Sequence, residues 1–188
     1  MGTPKNPEYV KLFIGILYSS EEILKSAEKI LEKKFGLIDY RDTPTDFVHT
    51  HYYGNEMGDK IKRYFISFEN LISPDELPSV KLYTNSLEDE FRKSGGSGGR
   101  SINLDPGYMS HGTVILASTK NYSHRIYLSS GIYAELEYRI LGKKWVPLEW
   151  TYPDYRTENT MEFFMIVRSI YLKQRRNNAQ VHQMHPPR

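Results

Sequence analysis

The chain has 188 residues, of which 39% are hydrophobic and 26% are charged, with no cysteine and a formal net charge of +2. This length and composition are typical of a globular domain and exclude a disordered or fibrous chain. Because there is no cysteine, a disulfide scaffold, a cysteine-ligated zinc site and a cysteine nucleophile are excluded as well.

The excess positive charge lies at the end of the chain. Residues 174–188 contain three arginines and no acid, which leaves a net charge of −1 for residues 1–173. Bulk charge therefore does not support a nucleic-acid partner, which usually binds a basic face. No apolar run reaches the roughly 18 residues that span a bilayer, and no apolar stretch precedes Val10 as in a signal peptide. We expect a cytoplasmic protein without membrane contact, with one domain over 1–173 and a polar, disordered tail over 174–188.

The first strand and helix have clear local patterns. Apolar residues at alternate positions predict a strand over 9–18. Ser19 and Glu22 have the capping-box spacing, apolar residues follow at helical intervals, and Gly36 suits the end of the helix. Residues 45–53 alternate only loosely.

A second strand and helix follow. Residues 60–69 are apolar on both faces, which predicts an interior strand. Ser73 and Glu76 form another capping-box pattern, and residues 101–104 predict a short strand. The glycine-rich stretch 94–99 is interpreted as a linker, because a phosphate-binding loop would follow a strand and carry lysine where Arg100 stands.

The second half of the chain predicts a β-meander and a closing helix. Residues 110–119 fit either a strand or a short helix, 124–128 and 132–140 fit a hairpin, 143–148 a third strand, and Thr157 or Asn159 a helix start. The order over 9–105 is β-α-β-β-α-β, that of a ferredoxin-like fold. We therefore predict an α+β fold with a mostly antiparallel sheet, a ferredoxin-like first part, a β-meander and a C-terminal helix.

Asp105 is the first candidate site residue. It precedes Pro106 and Gly107, so we expect it at a strand end where the chain turns. Such a carboxylate either bonds its own backbone in an Asx turn or faces a ligand.

Donors are dense between Thr119 and Arg125. Lys120 and Arg125 suit an anion, and His124 suits acid–base chemistry near neutral pH. Alternation along the strand places His124 and Arg125 on opposite faces, so both can reach one ligand only if the strand start is irregular. A solvated loop is the alternative interpretation.

Glu135 is predicted on an outward strand face with Tyr133 and Glu137. It is expected to be solvated, unless it pairs across the hairpin with Arg125 or His124. Asp105, Glu135 and His124 would then be candidate ligands for a divalent cation, although no known metal-ligand spacing is present.

Two further segments contain candidate site residues. His49 and His51, near Asp46, are another candidate metal pair, with exposed strand histidines as the alternative. Residues 150–155, which include Tyr152 and Asp154, concentrate aromatics that fit a pocket wall or a plug at the end of the core.

Several of these segments together resemble a known family. Residues 103–108, 117–120, 124–128, 131–135 and 150–155 are similar to the signature of the bacterial domain of unknown function DUF4416, as are residues 7–18 and 52–58, and the resemblance extends to about Gln174. Some members carry the label GTP-binding protein. The chain has neither a lysine-containing phosphate loop nor an Asn-Lys-x-Asp motif, so it does not support that label in the P-loop sense.

Our leading hypothesis is a site for an anionic or phosphate-bearing small ligand, such as a nucleotide. Asp105, His124 and Glu135 would supply acid–base groups; the ligand contacts would come from Lys120, Arg125, Tyr108, Tyr133, Tyr152 and Asp154. Whether a reaction follows is left open, and a divalent cation is a candidate cofactor. The rival is a non-enzymatic module for protein or RNA, which for RNA requires Tyr64, Tyr127 and Tyr133 exposed on one sheet face.

Overall fold

A computed structural model of the chain describes residues 2–48, 57, 60–94 and 100–184. Over these residues, nine strands form one sheet, and three α-helices accompany it. The strands are β1 (Val10–Tyr18), β2 (Ile38–Arg41), β3 (Thr45–Asp46), β4 (Lys62–Ile72), β5 (Ile102–Met109), β6 (Thr113–Ser118), β7 (Ile126–Ser129), β8 (Ile132–Leu141) and β9 (Lys144–Pro147). The helices are α1 (Glu21–Phe35), α2 (Leu77–Ser94) and α3 (Glu158–Met184), with 3-10 turns at Pro74–Glu76 and Pro153–Arg156.

The sheet is antiparallel, which confirms the predicted α+β class. Its order is β2-β4-β1-β5-β6-β8-β7, with β3 added to β4 and β9 added to β8. The first four strands of this order, together with α1 and α2, form the predicted ferredoxin-like part. The strands β7, β8 and β9 form the meander, and α3 is the predicted C-terminal helix. Among the described residues, no helix is long and apolar enough to cross a membrane.

The sheet is covered on both faces. Leu12 and Ile14 of β1 lie in one apolar core with Leu24 of α1 and Val80 of α2. The alternate residue Phe13 lies in a second core with side chains of α3, including Phe164, whose ring is 5.0 Å from that of Phe13. Since side chains alternate across a strand, α3 lies on the opposite face from α1 and α2. This explains why every residue of β1 is buried.

Helix caps were predicted to within a residue, although α2 becomes α-helical only at Leu77, after the 3-10 turn Pro74–Glu76. Ser20 rather than Ser19 caps α1: its hydroxyl accepts a hydrogen bond from the backbone N–H of Ile23, at the third helical position. The second capping box is confirmed, since the Ser73 backbone N–H donates to Glu76 Oε1 over 2.7 Å ahead of α2.

The strands β5 and β6 separate to form a fork. They pair only from Met109 with Val114 to Gly107 with Leu116. Beyond that point β5 continues beside β1 down to Ile102, while β6 continues beside β8 up to Ser118. The strands therefore leave a gap between them within the sheet.

The expectation of a turn at Asp105 was wrong. Asp105, Pro106 and Gly107 all lie within β5 and pair with Gly15, Ile14 and Phe13 of β1. Pro106 is tolerated because it lies directly beyond the last β5–β6 pair, where the missing N–H removes no ladder hydrogen bond.

Several predicted features fall at the limits of the description. The residues His49 and His51 and the glycines of the linker lie outside the described residues, as does most of the 55–58 turn. The ambiguous segment 110–119 contains the strand β6. Helix α3 continues to Met184, so the segment predicted as a polar tail is helical that far, and the division at 173 stays a prediction.

Candidate functional site

A cavity of about 640 Å³ occupies the fork between β5 and β6. This volume lies within the usual range for small-molecule sites, roughly 300–1,000 Å³. Its walls come from four places: α2, the β4–β5 side of the fork, the β6–β8 side, and the turn before α3. The lining residues are Phe47, Arg63, Lys81, Asn85, Glu88, Asp89, Arg100, Asn103, Asp105, Leu116, Ala117, Ser118, Thr119, Lys120, Arg125, Glu135, Tyr152, Pro153, Asp154 and Tyr155.

Helix α2 supplies hydrogen bonds where β6 is missing. Glu88 Oε1 accepts from the backbone N–H of Leu104 over 2.6 Å, and Lys81 Nζ donates to the carbonyl oxygen of the same residue over 3.0 Å. In an antiparallel strand, both groups of Leu104 point to the side away from its partner on β1. Two side chains thus replace a neighbouring strand at the open edge of β5.

Arg63 lies buried in the opposite wall. Its Nη2 donates to Asp154 over 2.5 Å, and its Nη1 is 4.0 Å from Asp105 Oδ2, too far for a hydrogen bond. Among the described residues, Nε and Nη1 have no hydrogen-bond partner, and neither does the hydroxyl of Tyr155. A Cβ placed on Gly15 would lie 2.8 Å from this hydroxyl and 3.3 Å from Nη1, so the two unpartnered groups are neighbours.

Asp105 connects the two walls. Its Oδ1 lies 3.4 Å from Lys81 Nζ, and its Oδ2 accepts from Asn103 Nδ2 over 2.6 Å. About a quarter of its side chain is exposed, more than for Arg63, Lys81 or Asp154. Asp105 is therefore the most accessible member of this charged group.

A second charged group is centred on Glu135. His124 Nε2 lies 2.8 Å from Glu135 Oε1, and Arg125 Nε and Nη2 lie 2.8 and 2.7 Å from Oε2. Both His124 and Arg125 reach one carboxylate because β7 begins only at Ile126, which leaves the preceding residues outside the strand alternation. Of the two alternatives for Glu135, a solvated side chain is wrong, since Glu135 is 1% exposed on a covered sheet face. The alternative of pairing with Arg125 or His124 is the one that the structure shows.

The donors of Arg125 are occupied by the protein. Besides Glu135, they contact the Ser118 hydroxyl, the Lys120 carbonyl oxygen and the Tyr152 hydroxyl, at 2.7, 3.0 and 2.7 Å. This arrangement fixes the position of Glu135 and joins the 119–125 segment to the turn before α3. It leaves Arg125 poorly placed to bind an external anion.

The cavity collects six of the nine predicted site residues: Asp105, Lys120, Arg125, Glu135, Tyr152 and Asp154. His124 contacts Glu135 from outside the cavity and stacks on Trp150, with ring centroids 5.2 Å apart. Tyr108 packs against the apolar core, and the Tyr133 ring packs against that of Tyr127. These three residues do not line the cavity.

The tyrosine-lined sheet face required for RNA is not formed. Tyr64 is 5% exposed, lies in the core with α1 and donates to Glu28 over 2.9 Å. Only Tyr127 of the three tyrosines is largely exposed. Tyr64 lies on β4, whereas Tyr127 and Tyr133 lie on β7 and β8, at the other end of the sheet order. The three tyrosines therefore do not form one exposed face.

Within the described part of the chain, no group of three or more His, Asp or Glu side chains could hold a metal ion. Asp105, Glu135 and His124 therefore do not form such a group. Instead, Arg63 and Lys81 lie beside Asp105, and Arg125 lies beside Glu135.

Arg63, Lys81 and Glu88 line the cavity but were not predicted from the sequence, although each left a signal there. Arg63 interrupts an apolar strand face between Ile61 and Phe65, and a buried arginine needs partners. Lys81 and Glu88 are two helical turns apart, so they share a helix face.

Burial changes the protonation of two carboxyl groups near the fork. It raises the pKa of the Glu88 carboxyl to about 7, an effect opposed by the charge of Lys81 and by the Leu104 hydrogen bond. It raises the pKa of Glu137 to about 9, with a further increase from the charges of Glu135 and Asp154. Glu137 is thus mostly neutral at pH 7, and Glu88 changes its charge near neutral pH.

Comparison with known proteins identifies the family of the chain but gives no ligand or activity. Neither the curated proteins nor the solved structures include a match to the chain. A family model matches residues 8–171, and the chain therefore belongs to the domain of unknown function family DUF4416.

Proposed function

We propose that the protein binds an anionic, phosphate-bearing small ligand in the cavity of the β5–β6 fork. The observation that carries this proposal is the buried Arg63 guanidinium, with Nε and Nη1 lacking acceptors in the cavity wall. An unsatisfied buried donor costs about 1–3 kcal/mol, and more when it is charged. An anionic oxygen would satisfy these donors, and arginine suits phosphate because its fork can donate two hydrogen bonds.

The neighbouring groups support an oxygen-rich ligand. The Tyr155 hydroxyl, also without a partner, is placed to donate beside Arg63. Lys81 and Lys120 add positive charge to the walls. Phe47, Leu116 and Tyr152 provide an apolar boundary that would exclude water and strengthen these charge interactions.

We propose different roles for the carboxylates of Asp105 and Glu135. Asp105 is our candidate for direct contact with the ligand, since its side chain is partly exposed beside Arg63 and Lys81. Glu135 is held on both oxygens by His124 and Arg125, so we assign it to positioning the 119–125 segment. A nucleotide, including GTP, is one member of the ligand class, recognised here through its phosphates.

The test is a binding screen on the whole chain. Thermal shift and calorimetry would compare orthophosphate, pyrophosphate, a sugar phosphate, ATP and GTP. Arg63→Lys retains the charge but loses the two-pronged donor geometry, and we expect about tenfold to hundredfold weaker binding. Arg41→Lys is the matched control, because Arg41 is exposed and pairs only with Glu28 and Glu32 among the contacts seen.

Two results would contradict the proposal. One is the absence of any anion binding at millimolar concentration, and the other is equal affinity in wild type and folded Arg63→Lys. Lys120→Met is a second test, at a position that tolerates substitution better than Arg63 does. It should weaken binding severalfold, because a positive charge near the ligand is lost. Lys144→Met, at an exposed residue of β9, should leave binding unchanged.

One observation favours a second candidate, a non-enzymatic module for protein. Strand β7 ends the sheet order and exposes three consecutive apolar residues, with Ile126 72% exposed. An exposed apolar edge strand can pair with a strand of another chain, and a second copy is the simplest partner. Association in sedimentation velocity that disappears in Ile126→Lys would support this candidate, whereas monomers in both samples would oppose it.

A further inference from the structure

Glu88 is fixed in the wall of the cavity by the open edge of β5. Its Oε1 accepts from the Leu104 backbone N–H over 2.6 Å, and its Oε2 lies 3.6 Å from Arg100 Nη1. The residue is buried, yet it lines the cavity. The hydrogen bond to the backbone replaces strand pairing, so turning Glu88 away would leave the Leu104 N–H without a partner.

The two carboxyl oxygens are therefore not equivalent. Oε1 accepts the hydrogen bond from Leu104, whereas the contact that the described part of the chain gives Oε2 is the longer one with Arg100. A proton on Oε2 would preserve the bond to Leu104 and convert that oxygen into a hydrogen-bond donor. Glu88 can thus change its charge without changing its position.

Three charged groups face Glu88. Lys81 comes from its own helix, Arg100 from the residues before β5, and Asp105 from β5 itself. The cations favour the ionised carboxyl, while burial and Asp105 disfavour it more strongly, so the pKa of Glu88 is about 7. An anion placed in the same cavity would act in the same direction as Asp105 and favour the neutral acid further.

Resting on the function proposed above, we propose that Glu88 takes up a proton when an anionic ligand enters the cavity, and donates a hydrogen bond to that ligand as a neutral carboxylic acid. Its two states differ in what they offer the ligand. The ionised form repels the ligand and competes for Arg100, whereas the neutral form supplies a donor and leaves the cations to the ligand.

The pH dependence follows from linkage. Below pH 7 the free protein already carries the proton, so binding takes up little. Above pH 7 the carboxylate must be protonated on binding, and affinity falls by up to about tenfold per pH unit until the pH exceeds the pKa of the complex. The proton uptake approaches about one per ligand in that window.

Sulfate is the probe, because it stays a dianion throughout the window and cannot itself supply the proton change. Calorimetric titration of the whole chain at pH 6 to 8.5 gives the proton uptake from the difference in binding heat between two amine buffers, chosen at each pH so that both hold that pH and differ in ionisation enthalpy. These amine buffers lack sulfonate groups that would compete for the site. We expect uptake to rise above pH 7 and affinity to fall in parallel.

Glu88→Gln is the informative variant. The amide keeps an acceptor for the Leu104 N–H and stays neutral at every pH, so sulfate should bind with no proton uptake and with the affinity that wild type reaches at low pH. Glu90→Gln is the matched control, since Glu90 is an exposed carboxylate on the same helix that does not line the cavity. It should keep the wild-type pH dependence.

Failure of this inference differs from failure of the proposed function. Equal proton uptake in wild type and Glu88→Gln would overturn the role of Glu88 and leave anion binding intact. No binding of sulfate or phosphate to either protein at any pH would overturn both. Should Glu88→Gln not fold, carbon-13 detection of the Glu88 carboxyl decides: its titration midpoint must move to higher pH with sulfate, and an unmoved midpoint refutes the inference.

Discussion

Arg125 and Glu135 form a buried ion pair in which Nε and Nη2 of the arginine both lie within 2.8 Å of Glu135 Oε2. Each side chain is about 1% exposed. Removing one partner strands the other as an uncompensated buried charge, whereas removing both does not. This pair therefore tests whether the 119–125 segment is held in place by electrostatics or by packing.

We predict that Glu135→Gln and Arg125→Met each lower the free energy of unfolding by about 3–5 kcal/mol, measured by urea denaturation. The double variant should lose clearly less than the sum of the two single variants, because the coupling term is removed only once. Arg92→Ala, which breaks the exposed pair with Asp89, should cost about 1 kcal/mol or less. Additive losses would mean that the two side chains act independently.

Gly107 marks the point where β5 and β6 part. A Cβ there would lie 2.4 Å from the Ile115 carbonyl oxygen and 2.4 Å from the Phe13 ring. We predict that Gly107→Ala costs at least about 1–3 kcal/mol, because a backbone carbonyl cannot move aside as a flexible side chain can. Gly112→Ala is the control, since nothing lies within 4 Å of its Cβ, and it should be close to neutral in the same urea titration. Equal stability of the two variants would contradict the close approach of the strands.

The fold was predictable wherever a local pattern reported burial. The spacing of Leu24, Ala27 and Leu31 gave α1, and the two apolar faces of β4 correctly indicated a covered strand. The same reasoning failed at Asp105 and Pro106, because turn-forming residues also suit a strand whose far edge has no partner. The fork that makes this edge available depends on pairings between residues distant in sequence, which no local pattern contains.

In the site, only contacts between residues close in sequence were predictable. The Glu135 pairing with Arg125 or His124 could be considered because the residues flank one hairpin. Arg63, Lys81 and Asp105 come from β4, α2 and β5, and they meet only because the fork lets a helix on one sheet face approach residues on the other. An arginine within an apolar strand face indicates a buried partner but does not say which carboxylate it is.

Gly15 lies beside the Tyr155 hydroxyl and Arg63 in the cavity wall, and substituting it tests this wall while leaving every charge in place. A Cβ on Gly15 would approach the Tyr155 hydroxyl and the Phe65 ring to 2.8 and 2.9 Å. We predict that Gly15→Ala displaces the hydroxyl and weakens orthophosphate binding about fivefold or more, as expected for the loss of one hydrogen bond of about 1 kcal/mol. Calorimetry at fixed pH measures this effect, with Gly112→Ala again as the control. Unchanged affinity in a variant with altered stability would place the ligand away from Tyr155.

Glu137 makes the stability of the protein depend on pH. It is the extra residue of a bulge in β8, fully buried, and neither carboxyl oxygen has a well-formed hydrogen bond, although the Thr151 hydroxyl and the Tyr152 amide approach it. Its pKa is about 9 in the folded protein, against a reference value of 4.5. Between these values the folded state holds one proton more than the unfolded state. The contribution of this group is therefore complete below the unfolded pKa and is lost as pH rises, at up to about 1.4 kcal/mol per pH unit.

Glu137→Gln should remove that dependence because the amide does not ionise. We predict that the variant and the wild type have similar free energies of unfolding near pH 5, and that the variant gains on the wild type by about 2–3 kcal/mol between pH 6 and 8. Urea titrations at half-unit pH intervals measure the difference, which cancels the contributions of all other groups. Exposed Glu149→Gln should follow the wild-type curve throughout. Parallel curves for Glu137→Gln and wild type would show that this carboxyl ionises in the folded protein as readily as it does in the unfolded chain.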